Sequence, residues 1–255
     1  MNFIDTHTHL YDAAYEGDGA GAVRRAIEAG VTRLVMADTD SSVREAMFSL
    51  CDAFPENAFP CLGLHPTELH ENWRDELAMV MNFSGRRIYA IGETGLDLHW
   101  DDSLFDAQKE CFHSQLELAL KMDLPVIIHS RDATKATFDI LEGFRGRGLR
   151  GVFHAFSGSI ETFRELDRYG DWFVGIGGVL TFKKASIAET VKDIPLERIL
   201  LETDSPYLAP TPLRGTRNES ANIPLIAAKL SEIKGIPLEE IASVTTASAQ
   251  SLFGI

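Results

Sequence analysis

Short apolar runs alternate with amphipathic stretches along this chain in a steady rhythm. Asn2-Phe3-Ile4 opens as a strand, and Asp18 to Ala29 carries helical spacing up to Gly30, a residue suited to end a helix. Val31 to Ala37 predicts a second strand and Asp40 to Phe54 a second helix, with Ser41 or Ser42 near its cap. Ala58 to Leu64 reads as strand and Arg74 to Phe83 as helix. Ile88 to Gly92 follows as a fourth strand and Ser103 to Met122 as a long helix, with Phe105, Phe112, Leu116, Ala119 and Leu120 at helical spacing. Pro125 to Ile128, Gly151 to Phe153, Trp172 to Ile176 and Ile199 to Glu202 predict four more strands. Helices over Ala133 to Glu142, Ile160 to Tyr169, Lys184 to Lys192, Asn222 to Ile233 and Leu238 to Leu252 fill the intervals and the end.

Eight such strands alternating with helices within 255 residues predict an α/β fold, a (β/α)8 TIM barrel forming a single domain over residues 1–255. A doubly wound open sheet has the same rhythm, but no glycine-rich dinucleotide fingerprint follows the first strand. No Pro-, Gly- or Ser-rich linker divides the chain.

Composition narrows the picture. Hydrophobic residues at 45% and charged residues at 24% are those of an ordinary globular protein. No apolar run is long enough to span a bilayer, and Cys51, Cys61 and Cys111 are too few and too scattered for a disulfide framework. A cytoplasmic protein without membrane association, and a monomer, is expected. With 38 acidic against 24 basic residues, the formal net charge of −14 repels polyanions on average. An anionic substrate therefore needs a local positive centre, which bound metal ions could supply.

Candidate chemistry gathers where barrels keep it. His7 and His9 lie on one side of the first strand under its period of two, with Asp5. Taken alone, His-x-His fits a surface turn as well as a metal site. Yet Glu93 follows the fourth predicted strand, His129 the fifth, His154 the sixth and Asp204 the eighth. Four imidazoles and two carboxylates converging on the C-terminal rim make a ligand set for two divalent cations. So many imidazoles suit Zn2+ or Mn2+ better than Mg2+, which prefers oxygen.

Several segments together resemble the TatD family of metal-dependent deoxyribonucleases, within the amidohydrolase-like superfamily. They are Asp5-Thr6-His7-Thr8-His9-Leu10, Gly63-Leu64-His65-Pro66, Gly92-Glu93-Thr94-Gly95-Leu96-Asp97, Pro125 to Arg131, His154-Ala155-Phe156-Ser157-Gly158 and Gly175-Ile176-Gly177-Gly178. Leu201 to Pro210, Arg214 to Glu219 and Ser251-Leu252-Phe253-Gly254 continue the resemblance nearly to the end. It implies a TIM barrel, two divalent metal ions (Zn, Mn or Mg) and hydrolysis of DNA phosphodiester bonds by a 3'-5' exonuclease, with single-stranded ends as substrate. It also implies His7, His9, Glu93 and Asp204 on one metal and Glu93, His129 and His154 on the other, with Glu93 bridging. The fourth-strand segment has no lysine that could be carbamylated, so glutamate is the simpler bridge. Ala155 stands where cysteine is frequent and Ser220 where proline often occurs; neither is a proposed ligand. Leu98-His99-Trp100-Asp101-Asp102 is less family-like and is expected at the pocket mouth.

Glu93 and Asp204 are the expected catalytic carboxylates, Asp204 as metal ligand and as acceptor of the water proton. Arg131 could clamp phosphate with its guanidinium fork, or form a salt bridge on the rim. His65 and Arg214 are the other substrate-facing candidates. His65 and Glu202 are also expected to orient ligands through hydrogen bonds. Arg217 and Asn218 share a loop with Arg214, and an ion pair with Glu219 is the plainer expectation for Arg217. The same metal chemistry could instead serve a small ester, amide, lactone or phosphoester, and a non-catalytic metal-binding scaffold is a further alternative.

Overall fold

The apolar runs become parallel strands laid side by side in chain order. In the computed structural model, which describes residues 1–100 and 103–255, they are β1 (Phe3–Thr8), β2 (Val31–Met36), β3 (Ala58–Pro60), β4 (Ile91–Asp97), β5 (Val126–Arg131), β6 (Arg150–Phe153), β7 (Asp171–Ile176) and β8 (Ile199–Leu201). Between and after them run α1 (Gly19–Glu28), α2 (Ser41–Ala53), α3 (Trp73–Met81), α4 (Phe105–Met122), α5 (Thr134–Glu142), α6 (Ile160–Leu166), α7 (Ile187–Asp193), α8 (Ile223–Lys234) and α9 (Leu238–Phe253). Parallel pairing runs in the order β1-β2-β3 and β4-β5-β6-β7-β8. Two single bridges join these sheets into a ring, Leu62 to Ile91 and Thr8 to Ser205. Gly92 N–H donates to Leu62 O at 2.8 Å and His9 N–H to Ser205 O at 2.8 Å across those seams. The expected single-domain (β/α)8 barrel is the fold observed.

Helices pack outside the ring and a second apolar layer fills it. The inner layer takes Ile4, Val35, Cys61, Ala90, Ile127, Val152 and Leu200 from the strands or their flanks, closed by Leu252 and Phe253 at the end of α9. Period two then carries three of these inner residues to polar ones nearer the C-terminal rim: Ile127 to His129, Val152 to His154, and Leu200 through Glu202 to Asp204. In β1 and β4 the interval is three, from Ile4 to His7 and from Ala90 to Glu93. Both strands carry a register irregularity there, so the phase shifts by one residue. Close approach of β4 to β5 needs Gly95, whose φ is +147° and where a Cβ would lie 1.9 Å from His129 O.

Two expected strand bounds are also corrected. Strand β4 begins at Ile91 and runs through Glu93 to Asp97, so Glu93 stands inside the strand and not after it. Strand β3 ends at Pro60, with Leu62 contributing only the isolated bridge. Asp40 caps α2 with Ser41 and Ser42 next to it, its Oδ1 accepting from Ser42 N–H at 2.6 Å. Of the expected mouth segment, residues 101 and 102 lie outside the described residues. The three cysteines are buried and free. No helix among the described residues is long and apolar enough to cross a membrane.

Candidate metal centre

At the C-terminal rim the strands deliver polar side chains to one point, and Glu93 occupies its middle. Glu93 Oε2 lies 3.1 Å from His7 Nε2 and 3.7 Å from His9 Nε2. Its other oxygen, Oε1, lies 2.8 Å from His154 Nε2, 2.9 Å from His129 Nδ1 and 3.1 Å from His65 Nε2. Asp204 Oδ1 faces the first group, 3.5 Å from His7 Nε2 and 3.6 Å from His9 Nε2. All six residues expected as ligands are thus brought together, and one carboxylate divides its two oxygens between two sets of imidazoles. Potential ligand atoms fall within 4.8 Å of one another in three groups: His7, His9 and Asp204; His7, Glu93 and His154; and His65, Glu93 and His129. The ring of His154 stacks on that of His7, with centroids 3.9 Å apart.

These residues fit divalent cations by the chemistry of their donors. His7 Nε2 and His9 Nε2 approach to 3.0 Å, so two imidazole nitrogens aim into one space. Burial first, and the neighbouring His154 second, push the His7 imidazole below its ordinary value, toward the neutral form that ligates. Burial works against charge on His9, but the carboxylates of Asp204 and Glu93 outweigh it and raise this group. Burial likewise opposes ionisation of Glu93, yet His154, His65, His7 and the His129 hydrogen bond hold it well below the usual carboxylate range. Asp204 is also lowered, its burial outweighed by the hydrogen bond to His9 and by the neighbouring imidazoles, His154 foremost. Two ionised carboxylates among five crowded imidazoles form a site whose charge and donor types match bound cations.

Neighbouring groups orient the set. Asp97 Oδ2 lies 2.8 Å from His129 Nε2, which turns His129 Nδ1 toward Glu93. Sequence reasoning gave Asp97 no role, although period two along β4 carries Glu93 through Gly95 to Asp97 on one side. His9 Nδ1 is 2.9 Å from the Tyr11 hydroxyl and 3.2 Å from Ala37 O; nothing in the sequence pattern marked Tyr11. Asp5 turns away from the imidazoles and accepts from Thr203 N–H at 3.0 Å, Thr203 Oγ1–H at 2.6 Å and His7 N–H at 3.2 Å. Glu202 accepts from Ala155 N–H at 2.6 Å and lies 3.6 Å from His154 Nδ1. Gly175 makes room for it, since a Cβ there would stand 1.9 Å from Glu202 Oε2.

Two cavities open onto the cluster. One of about 430 Å3 is lined by His9, His65, Glu93, Trp100, Tyr207 and Asp204 among others. The second, about 640 Å3, has apolar walls from Phe156, Val179, Leu180 and Ile187. His129, Arg131, His154, Asp204 and Leu208 line both, so the cluster sits at their junction. The Arg131 guanidinium lies 5.2 Å from the centre of the Trp100 ring. Arg214 lines neither cavity and covers the Phe182 ring at 4.2 Å. Arg217 pairs with Asp18 at 2.6 Å and with Glu219 at 2.8 Å, while buried Asn218 donates to Thr203 O at 2.8 Å and Tyr207 O at 2.7 Å.

Comparison with known proteins gives concordant findings. The family model described as TatD related DNase matches residues 4–254. An uncharacterized metal-dependent hydrolase of Bacillus subtilis, YabD, is 38% identical over 99% of this chain and 99% of its own. YjjV, an uncharacterized metal-dependent hydrolase of Escherichia coli, is 32% identical over 99% of this chain and 98% of its own length. The crystal structure of E. coli YjjV, a TatD homolog, superposes with a TM-score of 0.90 at 30% identity, covering 99% of this chain and 98% of that one.

Proposed function

The chain belongs to the TatD related DNase family of metal-dependent hydrolases, and we propose from this premise that it hydrolyses DNA phosphodiester bonds, shortening single-stranded ends in the 3'-5' direction. The observation that carries the reading is Glu93, which offers one oxygen to His7 and His9 and the other to His65, His129 and His154. That is the donor arrangement for a pair of divalent ions, Zn2+ or Mn2+ in preference to Mg2+. His7, His9, Glu93 and Asp204 would hold one ion; Glu93, His129 and His154 would hold the other, with His65 beside them. Bound there, the ions supply an acidified water and offset negative charge on the phosphate.

The protein's own groups do the remaining work. Asp204, ionised by its histidine neighbours, accepts the proton of the attacking water at a carboxylate oxygen. Arg131, at the junction of both cavities, offers its guanidinium to a non-bridging phosphate oxygen. Asp97 and Glu202 keep the rings of His129 and His154 in position. The reading takes the protein as a cytoplasmic monomer, in keeping with its free, buried thiols.

The net charge of −14 favours a second reading, a hydrolase of a small ester, amide, lactone or phosphoester. The test is a 5'-labelled single-stranded oligonucleotide incubated with protein loaded with Zn2+, Mn2+ or Mg2+, beside a model phosphodiester and an ester. Stepwise shortening from the 3' end is expected, abolished by chelator. Asp204→Asn should lower turnover by about 10²- to 10⁴-fold, the worth of a positioned base, with unfolding unchanged. Turnover of the ester alone would overturn the nuclease reading, and wild-type turnover in Asp204→Asn would remove Asp204 from it.

A further inference from the structure

Among the described residues, Trp100 and Tyr207 are the only aromatic side chains of Phe, Tyr or Trp that remain exposed, at 72% and 56%. A single exposed apolar residue on a protein surface is ordinary. These two line the same cavity, the one that contains Glu93 and Asp204. Trp100 follows β4 and Tyr207 follows β8, strands half a turn apart in an eight-stranded ring. The two rings therefore approach the centre from opposite sides of the mouth.

Both are set in place by polar neighbours. The Arg131 guanidinium lies 5.2 Å from the Trp100 ring centre, and the His99 ring meets that indole edge-on at 4.9 Å. One arginine thus steadies the indole and places positive charge beside it, at the junction where a phosphate would sit. Tyr207 N–H donates to Asp204 O at 2.8 Å, and Tyr207 O accepts from buried Asn218 at 2.7 Å. Asn218, which lines neither of the two cavities described, thereby fixes the backbone that carries the ring.

Exposed aromatic faces beside a guanidinium suit a ligand that alternates flat rings with anionic links. Nucleobases in a single strand present such faces, whereas a duplex hides them in its own stack. We propose that Trp100 and Tyr207 are stacking jaws that take unstacked bases on the two sides of the scissile phosphate and so restrict this site to single strands. This rests on the nuclease reading above.

The experiment compares a thymidine hexanucleotide with phosphorothioate links, which resists cleavage, and an abasic oligomer with the same links and length, both on the metal-loaded protein. Trp73 and Trp172 are buried, at 5% and 0%, so Trp100 is the fluorophore open to a ligand. The thymidine oligomer should quench its emission and shield it from acrylamide; the abasic oligomer should do neither. By anisotropy of labelled oligomers, Trp100→Ala and Tyr207→Ala should each weaken thymidine-oligomer binding about ten- to a hundredfold, the worth of one base stack. Trp100→Phe, which keeps a ring, should recover most of that loss. Equal binding of the two oligomers to the wild type, or unchanged binding in Trp100→Ala, would overturn the jaws while leaving the nuclease reading in place. If neither oligomer binds and an unmodified oligonucleotide is not cleaved, while the ester turns over, the nuclease reading fails and the jaws fail with it.

Discussion

Replacing Asp97 with Asn tests how the protein sets its ligand nitrogens. Burial works to raise the Asp97 carboxyl, but the hydrogen bond with His129 and the His99 amide hold it below the usual carboxylate range. As an anion it can only accept. Oδ1 takes the His99 N–H at 2.9 Å, so Oδ2, at 2.8 Å, takes the proton of His129 Nε2. His129 Nδ1 bonds Glu93 Oε1 at 2.9 Å, and a cation that displaces the Nδ1 proton would meet that lone pair aimed at the cluster while Nε2–H stays on Asp97. In Asp97→Asn the amide oxygen must stay on the His99 N–H, because an NH2 group cannot accept there. The NH2 then donates to His129 Nε2, which leaves the ring's one proton on Nδ1, on the side where a cation would bind.

The bond at stake is a buried, charge-assisted hydrogen bond worth about 1.5–3 kcal/mol. Loss of such an orienting carboxylate lowers metal affinity about 10- to 100-fold, or about 1.4–2.7 kcal/mol, which agrees. The assay is chelator-competition titration of metal-stripped protein, wild type against variant. Chemical denaturation of the metal-free forms should differ by no more than about 1 kcal/mol, since the side chain is isosteric and its backbone partner is kept. Affinity unchanged within about threefold would refute the tautomer argument.

Gly175→Ala should force Glu202 from beneath His154, because the new Cβ would sit 1.9 Å from Glu202 Oε2. Overpacking of this kind costs about 1–3 kcal/mol in urea denaturation, and a change under about 0.5 kcal/mol would mean that Glu202 has room to move. Asp18 joins α1 to the loop after β8 through hydrogen bonds from Arg25 and Arg217, which bring its carboxyl down to about 2. A carboxyl lowered on folding from an ordinary 3.8 stabilises the native state above that value and loses the effect as pH falls toward the folded value. Wild-type stability should therefore drop more steeply than that of Asp18→Asn between about pH 4 and pH 2, and parallel curves would count against the pairing.

Much of the barrel is legible in the chain because its strands are buried on both faces and read as short, continuous apolar runs. The candidate ligands of β5, β6 and β8 are legible for a related reason: two-residue steps lead from Ile127, Val152 and Leu200 to His129, His154 and, through Glu202, to Asp204. Strand β4 resists this reading. Its apolar entry, Ile88 to Ala90, precedes the strand, and its register shift lets Glu93, Thr94 and Asp97 be buried within it. A buried polar strand looks like a loop until the partners of its side chains are known. Asp97 stayed hidden for that reason. His65 is a different case, since the proximity of its Nε2 to Glu93 depends on how the Gly63-Leu64-His65-Pro66 turn folds back over the rim. Arg214, in the loop after β8, lies over the Phe182 ring at 4.2 Å, a contact that the sequence pattern does not show.

The central claim is that Glu93 is shared between two cations in one cluster of imidazoles and carboxylates. Anomalous diffraction from crystals of the zinc- or manganese-loaded protein, collected on both sides of the metal edge, tests it most directly. The account predicts two peaks, one among His7, His9, Glu93 and Asp204 and one among Glu93, His129 and His154, with both lost in Glu93→Ala. Metal peaks elsewhere on the barrel, or none at Glu93 after loading, would contradict it.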